Sequence, residues 1–427
     1  MTVRAPFNAS KPHPLIELDQ HVCAQNYAPL PMVASRAEGS WIWDTDGRRY
    51  LDMMSAYSAV SFGHAHPRLL AAMIEQAQRL AVTSRAIHSD QLAPFLSELV
   101  RLTGLDLALP MNSGAEAVET AIKVARKWGH VIKGIPDGAA EIIVFDNNFH
   151  GRTTTIISFS SHAQYRAGFA PLTAGFRSVR FGDLQALRQA ITPNTCAVLI
   201  EPIQGEGGVI VPPTGYLAGV RRLCDEHKVM LIADEIQTGM GRTGDVLAIQ
   251  HEGVRPDGLC LGKALGGGLL PVSAFVATRE LLGVIEPGDH GSTFGGNALA
   301  ARVGREALAV MMDEQMPPKA KQGGQVLRAV LEAARHRAVA EVRGRGLMLG
   351  IQLVPAVDAH QVVERLIHAG VVTKDTYGNT IRLSPPLNTD AADLEWGALR
   401  VLDVLDEFVG SMGDVGKPEP AKVAEAV

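Results

Sequence analysis

Short apolar, β-branched runs, each closed by a charge or a turn signal, recur through the middle of the chain: EIIVFD, CAVLIEP, VMLIADE, GLCLGK and VSAFVA. Longer amphipathic stretches lie between several of them, among them GAEAVETAIKVARKWG and PTGYLAGVRRLCDEH. A run apolar on both faces suits a strand covered on both sides. Alternation of such strands with helices predicts an α/β fold around a mostly parallel central sheet. In the first of those helices Ala115, Val118, Ile122 and Ala125 form an apolar stripe at helical spacing.

The two ends of the chain read differently. GSWIWDTDGRRYLDMMS has the pattern of a hairpin turning at Thr45-Asp46-Gly47. After about residue 310 come Ala- and Arg-rich helices, then the strand-like RGLMLGIQLV and TIRLSP. The expected organisation is a large domain over 56–308 and a smaller α+β domain over 309–410, to which segment 1–55 contributes. The polar 411–427, with scattered Pro and Gly, is expected to be a disordered tail.

A chain of 427 residues has room for two domains, and 46% hydrophobic with 20% charged residues is ordinary for a globular protein. The net charge of −5 is spread along the chain without a basic run, so nothing electrostatic suggests nucleic acid or an anionic membrane as a partner. The longest apolar stretches are broken well short of a membrane span. The N-terminal MTVRAPFNASKPHPLIELDQ has no signal-peptide core, and its acidic residues argue against a transit peptide, so a cytoplasmic protein is expected. Cys23, Cys196, Cys224 and Cys260 lack CxxC spacing and read as free thiols rather than disulfides or zinc ligands.

Ligands of parallel sheets bind beyond the carboxyl ends of the strands. Glu201, Asp234 and Lys263 all fall at such ends. Asp234 of LIADEIQTG needs a cationic partner, for which a protonated heterocyclic nitrogen would serve; a capping carboxylate is the plainer reading. Lys263 of LGKALGGGLLPVSA, if partly desolvated, becomes a nucleophile, although most lysines after strands are solvated. Ser113 and Gly114 open a helix whose N–H groups and dipole favour a phosphate, or merely a cap, and Glu116 and Glu119 suit its first turn. Together, a phosphate cup, a strand-end aspartate and a strand-end lysine are the parts that pyridoxal phosphate requires. Two other patterns carry less. RGRGLMLG lacks a full GxGxxG and reads as a tight turn before a strand. His64 and His66 of GHAHP have no completing ligands nearby and read as structural, so no metal site is expected.

The stretches GHAHP, NSGAEAVETAIKVARKWG, FHGRTTTIISFS, EPIQGEGGVIVPPTGYL, LIADEIQTGMGRTG, LGKALGGGLLPVSA and HGSTFGGNALAARVG, spread over most of 26–405, resemble the class III aminotransferases of fold type I. The resemblance implies a pyridoxal 5'-phosphate enzyme in which Lys263 is the Schiff-base lysine and the base that moves the substrate proton. Asp234 would pair with the pyridinium nitrogen, Gln237 would bond the ring hydroxyl, and Phe149 would lie on the ring face. Ser113 (usually Thr in the family), Gly114 and Ala115 would bind the phosphate. Ser292 and Thr293 would reach the phosphate of a neighbouring subunit, which implies a homodimer. Glu201 would belong to the hydrogen-bond network below the cofactor, with partners that the sequence does not give.

Within the family, the match is nearest to enzymes that move the δ-amino group of ornithine to 2-oxoglutarate. The resemblance assigns Tyr27 and Tyr57 to the α-amino and α-carboxylate end of ornithine, Arg152 to a carboxylate clamp and Arg382 to α-carboxylates. Glu206 would mask Arg382 while ornithine is bound. Enzymes for N-acetylornithine or 4-aminobutyrate are the alternatives within the family, and a binding protein with a relic cofactor site is the alternative outside it.

Overall fold

The computed structural model describes residues 13–410; residues 1–12 and the expected tail at 411–427 lie outside the described residues. Three sheets organise the chain. The first holds β1 (Ala34–Glu38), β2 (Trp41–Asp44) and β3 (Arg49–Asp52). The β2–β3 pair is the expected hairpin, and Asp44 Oδ1 fixes its turn by accepting from the N–H groups of Asp46 and Arg48.

The central sheet holds β4 (Leu107–Met111), β5 (Glu141–Phe145), β6 (Phe176–Val179), β7 (Thr195–Ile200), β8 (Met230–Asp234), β9 (Gly258–Leu261) and β10 (Ser273–Ala277). Its order is β4-β10-β9-β8-β7-β5-β6. Only β10 departs from the parallel arrangement: it runs antiparallel to both β9 and β4. Alternate residues enter opposite cores. Ile142, Val144, Ile232 and Cys260 pack under the helix Gly114–Val131, while Ile143, Phe145, Leu231 and Leu261 face the helices Tyr216–His227 and Ala298–Asp313. Burial on both faces explains why these strands read as continuous apolar runs. The helix Gly114–Val131 crosses β10, β9, β8 and β7, and its buried side is wider than the expected stripe, taking in Ala117, Ala121, Val124 and Trp128 as well.

The third sheet holds β11 (Val339–Arg345), β12 (Met348–Leu353), β14 (Lys374–Thr376) and β15 (Thr380–Leu383), in the order β11-β12-β15-β14. RGRGLMLG is the β11–β12 turn. The short β13 (Val371–Val372) instead joins β3 in parallel, so one C-terminal segment serves two sheets. His64 pairs with Asp52 at 2.8 Å and His66 with Glu314 at 3.1 Å. Cys196, Cys224 and Cys260 are buried free thiols, and Cys23 is exposed.

Candidate active site

The carboxyl ends of β7, β8 and β9 lie side by side, with Ile200 opposite Ala233 and Asp234 opposite Cys260. Glu201, Asp234 and Lys263 therefore converge at one edge of the sheet. Asp234 does not stand alone there: its Oδ2 lies 2.6 Å from Nδ1 of the buried His150, and its Oδ1 accepts from the Ile236 N–H. Burial works against a charge on His150, but the hydrogen bond and negative charge of Asp234, with that of Glu201, outweigh it and hold the imidazole pKa above its ordinary value. An imidazolium here sets a positive charge against the Asp234 carboxylate. Glu201 accepts from the backbone N–H of Phe149 and of Gly205. Burial pushes its pKa up to about 7, with the His150 charge opposing. His150 was not singled out from the sequence; the only signal was its place next to Phe149 in FHGRTT.

Lys263 begins a tight turn after β9 and holds φ at +45°. A left-handed conformation in a residue other than glycine costs about 1 kcal/mol and clusters at functional positions. Burial lowers the lysine pKa, Glu206 opposes that, and Arg382 adds to it. Gln237 is buried, and its Nε2 makes no close hydrogen bond among the described residues, although its amide lies near enough to Glu206 to help lower that carboxyl's pKa. A Cβ on Gly205 would stand 1.6 Å from Gln237 Oε1, so only glycine allows this approach.

Ser113 caps the helix Gly114–Val131 through a capping box: its Oγ accepts from the Glu116 N–H, and Glu116 Oε2 accepts from the Ser113 N–H at 2.6 Å. This leaves the N–H groups of Gly114 and Ala115, which helix geometry does not satisfy, for an anion. A Cβ on Gly114 would stand 3.0 Å from Ile236, so glycine lets the helix end sit tight against the chain leaving β8. Ser292 Oγ accepts from Asn112 Nδ2 at 2.9 Å, which puts the 292–293 loop beside this helix end within the same chain; Ser113 and Thr293 are exposed.

Glu206 and Arg382 form an ion pair of 2.5 Å, Oε1 to Nη1. Arg382, on β15, is 1% exposed and keeps Nη2 unpartnered among the described residues. Burial alone would raise the Glu206 pKa, but the charges of Arg382 and Lys263 bring it below the ordinary carboxylate value. The Glu206 backbone is pinned, since its carbonyl accepts from Thr376 Oγ1 and the Gly208 carbonyl accepts from Arg343 Nε, so the side chain is the part left to move.

Tyr57 lies 4.8 Å below the Arg382 guanidinium. It stands in a left-handed turn, with positive φ from Ser55 to Ser58 and no glycine among them. Asp52 Oδ1 accepts from the Met54 and Ser55 N–H groups, Ser55 Oγ donates to the Ser384 carbonyl, and the fully buried Arg242 donates to Ser55 Oγ and Ser61 Oγ. These bonds hold the strained turn. Arg152 is exposed on the loop after β5, with its Nη2 donating to Tyr165 Oη at 3.1 Å and its guanidinium 4.3 Å from the Tyr165 ring. It has no carboxylate partner among the described residues. Tyr27 is 65% exposed, yet it lies near enough to Tyr57 to contribute to raising that phenol's pKa.

A lysine and a carboxylate at adjacent strand ends, below a helix end open to an anion, define the pyridoxal-phosphate transferases of this sheet topology. The family model described as aminotransferase class-III matches residues 22–405. A relative from Bordetella pertussis named ornithine aminotransferase is 54% identical over 389 residues, covering 91% of this chain and 94% of its own. A crystal structure of the ornithine aminotransferase from Toxoplasma gondii, described as having partial occupancy of PLP at its active site, superposes with TM-score 0.91 at 39% identity, over 94% of this chain and 96% of that one. An acetylornithine aminotransferase from Elizabethkingia anophelis superposes with TM-score 0.84 at 42% identity, over 92% and 98%. The chain belongs to the class-III aminotransferases.

Proposed function

We propose that this enzyme is an ornithine aminotransferase that moves the δ-amino group of L-ornithine to 2-oxoglutarate, giving glutamate 5-semialdehyde and glutamate, as a cytoplasmic homodimer dependent on pyridoxal phosphate. The observation that carries the reading is the Glu206–Arg382 pair beside Tyr57, with Arg152 left without a carboxylate.

The residues present fit the cofactor. Gly114 and Ala115 would hold the phosphate with Ser113, and Ser292 and Thr293 would complete the phosphate site of the neighbouring subunit. Asp234, paired with His150, would face the ring nitrogen, Phe149 the ring, and Nε2 of Gln237 the ring hydroxyl. Bound there, the cofactor supplies an electron sink that makes the proton on the amine-bearing carbon removable. Lys263 Nζ, its pKa lowered by burial, would take that proton from the δ-carbon and return it later.

Substrate orientation follows from the arginines. With Glu206 on Arg382, ornithine cannot seat its α-carboxylate there, and so cannot present its α-amine to Lys263. Arg152 and Tyr57 would grip that carboxylate at the far end, with Tyr27 on the α-amino group, which leaves the δ-carbon at Lys263. When 2-oxoglutarate enters, the Glu206 side chain would withdraw and Arg382 would take the α-carboxylate. The rival reading is N-acetylornithine, favoured by the Elizabethkingia anophelis structure. Single-turnover conversion of the bound cofactor by ornithine, N-acetylornithine, 4-aminobutyrate and lysine separates the two. Ornithine is expected to react fastest; a fast response to N-acetylornithine with none to ornithine overturns the choice.

A further inference from the structure

We propose that Tyr165 is a further substrate-binding residue, whose hydroxyl donates to the carboxylate held by Arg152, and that Tyr377 positions it. The inference rests on the reading of Arg152 as a carboxylate clamp. Tyr165 lies in the short helix Ala163–Arg166, and its Oη accepts from Arg152 Nη2 at 3.1 Å and from Tyr377 Oη at 2.5 Å. A phenol oxygen carries one proton besides its acceptor positions. An arginine only donates, and Tyr377 donates as well, so the Tyr165 proton is committed to neither neighbour. It is left beside an exposed guanidinium that has no carboxylate. Two donors of one arrangement, a guanidinium and a phenol, suit the two oxygens of a carboxylate.

Tyr377 is held to this task from several sides. Its ring stacks on His162 with centroids 4.3 Å apart, at 21°. Burial, together with Tyr165, raises its pKa and keeps the phenol a donor. It sits at the tip of the β14–β15 turn, next to Thr376, whose hydroxyl donates to the Glu206 carbonyl. One turn thus touches the clamp and the backbone of the proposed mask.

The test uses two ligands that each lack one group of the ornithine α-carbon: 5-aminopentanoate keeps the carboxylate without the α-amine, and 1,4-diaminobutane keeps both amines without the carboxylate. Their inhibition constants are measured against ornithine with the holoenzyme and its Tyr165→Phe, Tyr377→Phe and Arg152→Gln variants. Tyr165→Phe is expected to weaken 5-aminopentanoate about tenfold while 1,4-diaminobutane stays within about twofold, with Tyr377→Phe in the same direction but smaller. A general distortion would weaken both ligands alike, and that result overturns the proposal. So does a Tyr165→Phe variant with both constants unchanged while Arg152→Gln weakens 5-aminopentanoate alone; the clamp then stands without Tyr165. If Arg152→Gln also spares 5-aminopentanoate, the clamp reading itself falls, and this inference with it.

Discussion

A guanidinium buried as deeply as that of Arg382 costs several kcal/mol if it loses its carboxylate, so Glu206 has a stabilising reason to stay on it whenever no substrate carboxylate is present. The same pairing sets substrate orientation. Replacing Glu206 by Ala frees Arg382 for the α-carboxylate of any α-amino acid. We expect the ratio of single-turnover rates with ornithine and with L-glutamate to fall at least about tenfold in Glu206→Ala, with Glu206→Gln between the two because an amide still accepts from Arg382 without cancelling its charge. An unchanged ratio would count against the mask. Residues such as Lys263 and Asp234 could be picked out from sequence because each closes an apolar run, where a charge is conspicuous. His150, Tyr165 and Tyr377 could not: their meaning lies in pairs formed across 84 and 212 residues of chain. A lone histidine or tyrosine in a loop gives no sign of such a partner.

At the scale of elements, the apolar runs marked β5, β7, β8, β9 and β10 because burial on both faces leaves few polar positions to blur them. The direction of β10 was not legible, since composition carries no sign of strand polarity. Nor was the left-handed turn at Ser55–Ser58, which is held by Asp52 and Arg242 rather than by local glycines. The ends of β7 and β8 also carry a pH signature. Glu201 has a pKa of about 7 in the folded chain against an ordinary 4.5, so between these values the folded state binds the proton that the unfolded state has released. Its contribution to stability is therefore whole below about pH 4.5 and is lost as the pH rises towards 7, by up to about 3 kcal/mol. Chemical denaturation from pH 5 to 7.5 should show a smaller loss of stability with pH in Glu201→Gln than in the parent. A constant offset from the weaker Phe149 and Gly205 hydrogen bonds does not affect that difference in slope. Equal slopes would mean that Glu201 stays ionised throughout, with His150 as its compensating charge.

For the molecule as a whole, the single chain leaves too much of the site in the open. Thr293 and Ser113 are exposed beside the helix end proposed to bind phosphate, and Tyr27 and Phe294 are 65% and 57% exposed. Other exposed apolar side chains lie on a neighbouring segment: Leu80 and Val82 flank Ala81, whose carbonyl accepts from the Leu299 N–H a few residues beyond Phe294. Exposed apolar side chains next to the open helix end suit the proposed homodimer, in which a second copy would cover them. In a twofold interface each substitution counts twice. A buried phenylalanine is worth about 1.5–3 kcal/mol, so Phe294→Asp should weaken association by roughly 3–6 kcal/mol, or about two to four powers of ten in the dissociation constant. Light scattering across a dilution series is expected to show a monomer where the parent remains a dimer, and the monomer should lose its cofactor absorbance on gel filtration if, as proposed, Ser292 and Thr293 complete the phosphate site of the neighbouring subunit. A variant that stays dimeric places the interface elsewhere. A monomer that keeps its cofactor means that each chain builds its phosphate site alone, through Ser113, Gly114, Ala115 and its own Ser292 beside Asn112.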